Sequence, residues 1–234
     1  MGRAYEVRKA SIQKTGAIKA KTYSLFAKEI YIAAKNGSEV DLKRLIEKAK
    51  KSQVPSDIIE RALEKARGSS NDNYETHYYE GFGPGTSTLI IKCLTDNTTR
   101  TVGFLRAAFN KVNKNLGVTN SVLFNYDNLA ILSFKSNEEE KMFNAILDAN
   151  IEIIDFENED GFITISAHPN DYHLIKDVLE GILPNIDYEV DEIGMYPKVK
   201  VELSKEELDS FNKLYKLLDD IDDVSEIYHN VIVE

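Results

Sequence analysis

Tryptophan is absent from this 234-residue chain, cysteine occurs once, as Cys93, and there are only four histidines. One cysteine excludes an internal disulfide and suits a reducing compartment. His77, His168, His173 and His229 never stand three or four residues apart, so the sequence offers no helical pair of zinc ligands, and no metal or other cofactor is expected. No apolar run approaches the roughly 20 residues that span a bilayer, so no membrane partner is expected either. The start, Met1-Gly2-Arg3-Ala4-Tyr5-Glu6, has no apolar signal core, and Glu6 stands where a myristoylation signal carries Ser or Thr. A cytoplasmic protein is the expectation, although the first stretch is basic and poor in acid, as mitochondrial transit peptides also are.

Charge is abundant but unevenly placed. The net charge is -10, yet residues 1–67 hold 16 Lys and Arg against 8 Asp and Glu, and the remainder holds 13 against 31. A basic head on an acidic body attracts phosphate backbones at one end and repels them at the other. Two solvated surfaces that merely keep the protein soluble would give the same totals. Hydrophobic residues make up 42% of the chain, too many for disorder, and the length predicts two or three small domains.

The head reads as a basic arm over 1–21 followed by three amphipathic helices. The first, 22–36, places Phe26, Ile30 and Ala33 on one face. The second, 41–51, repeats Leu42, Leu45, Ile46 and Ala49 at helical spacing. The third begins near Pro55, carries Ile58, Ile59, Ala62, Leu63 and Ala66, and stops at Gly68. Gly68 to Asn73 is a linker by composition. Strands follow at 74–80 and 88–94, then a helix at 98–114 and a strand at 121–127. Residues 129–195 spell β-α-β-β-α-β, the ferredoxin-like order. The tail adds a strand at 198–203, a helix at 204–219 and a strand at 224–233. The flanking β-α-β pieces can combine into a second sandwich of the same kind. The expected fold class is therefore α+β: an N-terminal three-helix domain (1–72), a split α+β domain (73–128 plus 197–234), and a ferredoxin-like domain (129–196) inserted in it. Two unrelated α+β domains in sequence are the alternative.

Lys21, Lys28 and Lys35 recur every seven residues, close to two helical turns, on a face away from Phe26, Ile30 and Ala33. Such a ridge can contact successive phosphates, and Lys43, Arg44, Lys48, Lys50 and Lys51 of the second helix add to it. Lys9, Lys14 and Lys19 of the arm join the candidate set. On the 98–114 helix, Val102, Leu105, Phe109 and Val112 form one face, with Arg100, Lys111 and Lys114 opposite and Arg106 on the flank. No acidic residue occurs from Asn97 to Tyr126. A basic island in an acidic domain extends the phosphate-binding reading, unless its cations pair with the acidic body. Gly81-Phe82-Gly83-Pro84-Gly85 lacks the lysine of a phosphate loop and reads as a turn. Cys93, among Ile90, Ile91 and Leu94, reads as a buried thiol rather than a nucleophile. Asp219-Asp220-Ile221-Asp222-Asp223 lacks the Gly and trailing Glu of a calcium loop and reads as a solvated helix end. No catalytic set is visible.

Several segments together resemble the YebC family, whose mitochondrial relatives are translational activators. They are Tyr79-Glu80-Gly81-Phe82-Gly83-Pro84, Leu94-Thr95-Asp96-Asn97 with Arg100-Thr101, Arg106 with Phe109, Asn115-Leu116-Gly117 with Ser121-Val122, and, in the head, Glu29-Ile30, Ala33-Ala34-Lys35 and Lys48-Ala49-Lys50. The N-terminus departs from the family's pattern: Gly2-Arg3-Ala4-Tyr5 stands where a Lys-Trp pair is usual, and Ser11-Ile12 where paired lysines are. The resemblance implies three domains, helical and then two α+β with the third inserted in the second. It also implies a cytoplasmic, probable transcriptional regulator that binds DNA; members are also viewed as ribosome-associated translation factors. The expected function is thus a non-enzymatic, nucleic-acid-binding regulator of gene expression. A translation factor working on ribosomal or messenger RNA is the alternative, and a protein-interaction scaffold is a third reading. The oligomeric state is left open, a monomer included.

Overall fold

The segment Leu89-Ile90-Ile91-Lys92-Cys93-Leu94 is apolar at both parities apart from Lys92. A strand of that composition needs cover on both faces. The computed structural model, which describes residues 19–35, 39–68 and 74–233, supplies it. The chain divides into two compact units, one of residues 125–198 and one of the flanking segments to either side.

The flanking unit begins with three helices, α1 (Lys19–Lys35), α2 (Glu39–Lys51) and α3 (Ser56–Arg67). Phe26, Ile30, Ala49, Val54, Ile59 and Ala62 meet in one small core, as the helical spacing predicts. A four-stranded antiparallel sheet follows, built from β1 (Glu75–Phe82), β2 (Thr88–Thr95), β3 (Asn115–Leu116) and β8 (Val224–His229) in the order β3-β1-β2-β8. Leu89, Ile91 and Cys93 of β2 point into a core with Leu105 and Phe109 of α4 (Thr98–Asn110) and with Phe211, Leu214 and Leu218 of α7 (Lys205–Asp219). On the other face of β2, Ile90 and Leu94 are fully buried, and α1 packs against this strand. Lys92, on the same face, pairs with Glu29 of α1 at 3.7 Å.

Three sequence expectations change here. The helix expected over 98–114 ends at Asn110, because Asn113 takes a left-handed conformation (φ 55°) and the Lys114 N–H turns back to the Phe109 carbonyl at 3.0 Å. The strand expected at 121–127 is not formed. Instead the chain, reversed at Asn113, pairs at once with β1 through the two-residue β3, Leu123–Asn125 makes a 3₁₀ turn, and Tyr126 opens the next long strand. The strand expected at 198–203 is reduced to a single parallel bridge, Val201 to Val231. The chain must turn there into α7, whose start is fixed by a capping box between Ser204 and Glu207.

The unit of residues 125–198 runs β4 (Tyr126–Lys135), α5 (Glu139–Asp148), β5 (Ile153–Glu159), β6 (Phe162–Ala167), α6 (Tyr172–Ile182) and β7 (Tyr188–Pro197). Its strands pair antiparallel in the order β5-β6-β4-β7, which is ferredoxin-like. Ala130, Leu132 and Phe134 of β4 alternate into a core with Met142 and Ile146 of α5 and with Tyr172, Ile175 and Leu179 of α6. Leu129, Ile131, Val190 and Tyr196 form a smaller cluster at the intervening positions. The protein is thus a mixed α+β molecule: among the described residues, three helices, then two antiparallel sheets, each carrying a pair of helices.

Candidate nucleic-acid interface

The lysine ridge of α1 divides. Lys21 Nζ donates to the Asp219 side chain at 3.0 Å and to the Asp219 carbonyl. Lys28 Nζ reaches the Leu94 carbonyl at 3.2 Å, the Asp222 carbonyl at 3.0 Å and the Asp223 carboxylate at 3.3 Å. Their side chains are only 20% and 12% exposed. These two cations already have partners in the acidic turn that follows α7. That turn is therefore more than a solvated helix end: it receives the head. Lys35, farther along, donates to the Tyr31 hydroxyl at 3.1 Å.

Asp223 is the centre of this contact. Its carboxylate accepts from Arg100 Nη2 at 3.0 and 3.2 Å, Thr101 Oγ1 at 2.9 Å and Thr95 Oγ1 at 3.4 Å, besides Lys28. Its carbonyl takes the Leu94 N–H at 2.8 Å. Burial acts to raise the Asp223 pKa, but the hydrogen bonds from Arg100 and Thr101 and the charge of Lys28 outweigh it and hold the carboxyl below its usual range. The Thr95-Asp96-Asn97 segment works around the same point. Asn97 caps α4 by accepting the Arg100 N–H, Asp96 pairs with Arg100 at 2.8 Å, and Thr95 Oγ1 accepts the Asn97 N–H at 2.9 Å. The nearby Cys93 thiol is pushed up to about 12 by burial and by Asp223, which keeps it an unreactive core group.

A second cluster surrounds Glu80, which the sequence reading names within the Tyr79-Glu80-Gly81 segment but gives no role. Its carboxylate accepts the backbone N–H of Asn120 at 2.6 Å, Val122 at 2.6 Å and Leu123 at 2.7 Å, and its carbonyl takes the Gly117 N–H at 2.7 Å. Gly81 is glycine because a Cβ there would lie 2.2 Å from the Phe109 ring. The Tyr-Glu-Gly run therefore ties the loop after α4 to the sheet. Gly83-Pro84-Gly85 is the hairpin turn expected, closed by the Gly83 N–H to the Ser87 carbonyl at 2.9 Å.

The remaining candidates divide by exposure. Arg106 and Lys111 are exposed and Lys114 is half-buried; Lys111 caps α4 with its N–H still on the Ala107 carbonyl, whereas Lys114 lies past the Asn113 turn and does not extend the helical face of Arg100. Arg100 itself is held by Asp96 and Asp223. On α2, Lys43, Lys48, Lys50 and Lys51 are all exposed, as is Glu47, while Ala49 is buried. Lys9 and Lys14 lie outside the described residues, as does the side chain of Lys19. Among the described residues, no group of His, Cys, Asp and Glu could hold a metal ion, and no helix is long and apolar enough to cross a membrane.

Comparison with known proteins places this architecture. Residues 3–69 match the model of the TACO1/YebC protein N-terminal domain, and residues 74–231 match that of the TACO1/YebC second and third domain. The chain belongs to the TACO1/YebC family. A probable transcriptional regulatory protein from Pseudoalteromonas translucida (strain TAC 125) is 43% identical, with 100% of each chain covered. A protein of the same description from Vibrio cholerae serotype O1 is 41% identical, again over 100% of each. The crystal structure of a conserved hypothetical protein from Aquifex aeolicus superposes with a TM-score of 0.76 at 26% identity, covering 95% of this chain and 93% of that one. Tyr79-Glu80-Gly81 and Thr95-Asp96-Asn97, the segments that carry the resemblance in the sequence, coincide with the Glu80 and Asp223 clusters. In this TACO1/YebC protein those segments hold loops and the head in place, and the exposed cations lie elsewhere.

Proposed function

We propose that this protein is a non-catalytic regulator of transcription that binds nucleic acid, with the head as its main contact. The observation that carries this reading is the exposure of four cations of α2, Lys43, Lys48, Lys50 and Lys51, against one exposed acid among them, Glu47. Residues 1–72 act as the nucleic-acid-binding domain. Residues 73–128 with 197–234 support it, and the inserted domain of residues 129–196, rich in acid, takes no part in phosphate binding. Arg106, Lys111 and Lys114, in the segment without acids, give a second set of phosphate contacts, and Lys9, Lys14, Lys19 and Lys35 add to the head. Relatives named as probable transcriptional regulators support a regulatory role. Lys21, Lys28 and Arg100 serve this function indirectly, by fixing the head on the body.

Salt titration of binding tests the reading. The affinity of the full-length protein for a promoter-length duplex is expected to fall steeply with salt. Replacing Lys43, Lys48, Lys50 and Lys51 by Ala is expected to make the log–log slope shallower by about one for each phosphate that is no longer neutralised. Replacing Lys21 by Ala is expected to leave the slope nearly unchanged. An affinity independent of salt in the unaltered protein would overturn the proposal.

A further inference from the structure

Residues 136–160 hold nine Asp and Glu against one lysine, Lys141, which pairs with Glu138. They build α5, β5 and the start of the hairpin to β6. Strand β5 is the outer strand of its sheet, so one edge of its backbone has no strand beside it among the described residues. Asp160 and Gly161 both take left-handed conformations (φ 54° and 79°), as a two-residue hairpin turn requires, and Glu159 is opposite Phe162. Glu159, Glu157 and Asp155 therefore share the hydrogen-bonded ladder with β6, and the backbone groups of Phe156 and Asn158 point outward. The Phe156 N–H is accordingly taken by the Asp155 side chain, at 2.9 Å.

Helix α5 runs alongside this edge. The Phe143 ring meets the Phe156 ring edge to face at 5.1 Å, and the Asn158 amide donates to the Glu139 carboxylate. Two strand residues rise about 6.7 Å and four helix residues about 6 Å, so these two contacts set α5 antiparallel to β5 and bring Leu147 level with Ile154. Phe143, Leu147 and Ile154 are 36%, 50% and 54% exposed. The flank of α5 and the edge of β5 thus form an apolar groove open to solvent. On the other face of β5, Asp155, Glu157 and Glu159 stand at alternate positions, opposite Ser166, Thr164 and Phe162. None of the three pairs with a cation among the described residues.

We propose that the edge of β5 binds an extended basic segment of another protein, added to the sheet as a further strand, in which apolar residues alternate with Lys or Arg. Its apolar side chains lie in the groove against α5. Its cations, on the opposite face, meet Asp155, Glu157 and Glu159, whose two-residue period is that of a strand. The incoming main chain takes the outward groups of Phe156 and Asn158, and Asp155 releases the Phe156 N–H in exchange for a cation. The same acids turn other occupants away: phosphates are repelled, and β5 of a second copy brings its own carboxylates. The docking edge is independent of the nucleic-acid reading, because it belongs to the domain that takes no part in phosphate binding.

The test measures binding of the full-length protein to short fluorescent peptides: lysine alternating with valine, the same residues in two blocks, and glutamate alternating with valine. The alternating lysine peptide is expected to bind about tenfold more tightly than either of the others. Leu147→Asn and Ile154→Thr are each expected to weaken it about fivefold without lowering the melting midpoint, since both side chains are exposed. Glu157→Gln with Glu159→Gln is expected to flatten the salt dependence. Backbone N-methylation of one alternate set of peptide residues is expected to abolish binding, and of the other set to leave it, a readout that keeps the protein unaltered. Equal binding of the block peptide, indifference to both Leu147 and Ile154, an equal effect of the two methylations, or no binding would overturn the proposal. A dimer of the unaltered protein that Leu147→Asn dissociates would give the groove to a second copy and overturn it too. Each of these results leaves the salt titration of duplex binding, and with it the regulator reading, to stand or fall separately.

Discussion

Asp223→Ala is expected to lower the unfolding free energy by about 3 kcal/mol, read as a lower urea midpoint with little change in slope. The carboxylate is 7% exposed and faces donors from three elements: Lys28 of α1, Thr95 of β2, and Arg100 and Thr101 of α4. Removing it leaves the Lys28 ammonium, itself 12% exposed, with carbonyl partners but no counter-charge. Breaking one side of a buried ion pair is costly because the remaining charge stays desolvated. Asp219→Ala removes a pair of the same sign pattern, Lys21 to Asp219, but that carboxylate is 41% exposed. Its loss is expected to cost under about 1 kcal/mol. The contrast separates burial from simple charge counting. Hydrogen exchange is expected to report faster exchange in α1 for Asp223→Ala, since Lys28 is one of the groups that fix that helix to the sheet.

The same group gives a pH dependence with a definite sign. The folded Asp223 carboxyl is held below its ordinary value, so the unfolded chain binds its proton first as pH falls. The stabilisation is complete above the unfolded carboxyl value, about 4, and is lost as pH falls through the lower folded value. Stability of the unaltered protein should therefore decline below about pH 4 more steeply than that of Asp223→Asn, which lacks the titrating group.

Much of the architecture follows from periodicity alone. Phe26 and Ile30, or Leu42 with Ala49, repeat at helical spacing and do form the head's core, and the alternation of β4 and β6 marks the ferredoxin-like unit. What escapes such reading has physical causes. A charge period identifies a helix face but not what lies opposite it: Lys21 and Lys28 meet carboxylates more than 190 residues away in the chain. A two-residue strand such as Asn115–Leu116 has too few positions to show a period. Asn113 is compatible with helix by composition, and only its left-handed turn stops α4 from running on, which takes Lys114 off the face that a helical wheel assigns it. Tyr78 and Tyr79 are adjacent residues of one type on opposite faces, so sequence alone does not say which is covered. Glu80 looks like a surface acid in an edge strand until the loop that closes over it is placed.

That loop gives the second large effect. Glu80→Ala is expected to cost about 3 kcal/mol, since hydrogen bonds to a charged group contribute roughly 1.5–3 kcal/mol each and part of the loop can rehydrate. The side chain bridges from β1 to the loop over three N–H groups, those of Asn120, Val122 and Leu123, while Val122 is fully buried beside it. Gly117 begins the same loop and carries no side chain because a Cβ would stand 2.5 Å from Ser121 Oγ and 3.2 Å from the Glu80 carbonyl. Glu80→Gln tests whether charge or shape matters. The amide keeps one acceptor but turns an NH₂ group toward backbone donors, so two donors face each other without a proton acceptor; about 2 kcal/mol is expected. Glu80→Asp keeps the charge, but the side chain is one methylene shorter and cannot reach the same span of donors. A ranking of Ala, Gln and then Asp by loss of urea midpoint, with faster amide exchange confined to residues 117–123, would establish the carboxylate as the clasp of that loop. Equal stability of Glu80→Gln and the unaltered protein would show that shape alone holds it.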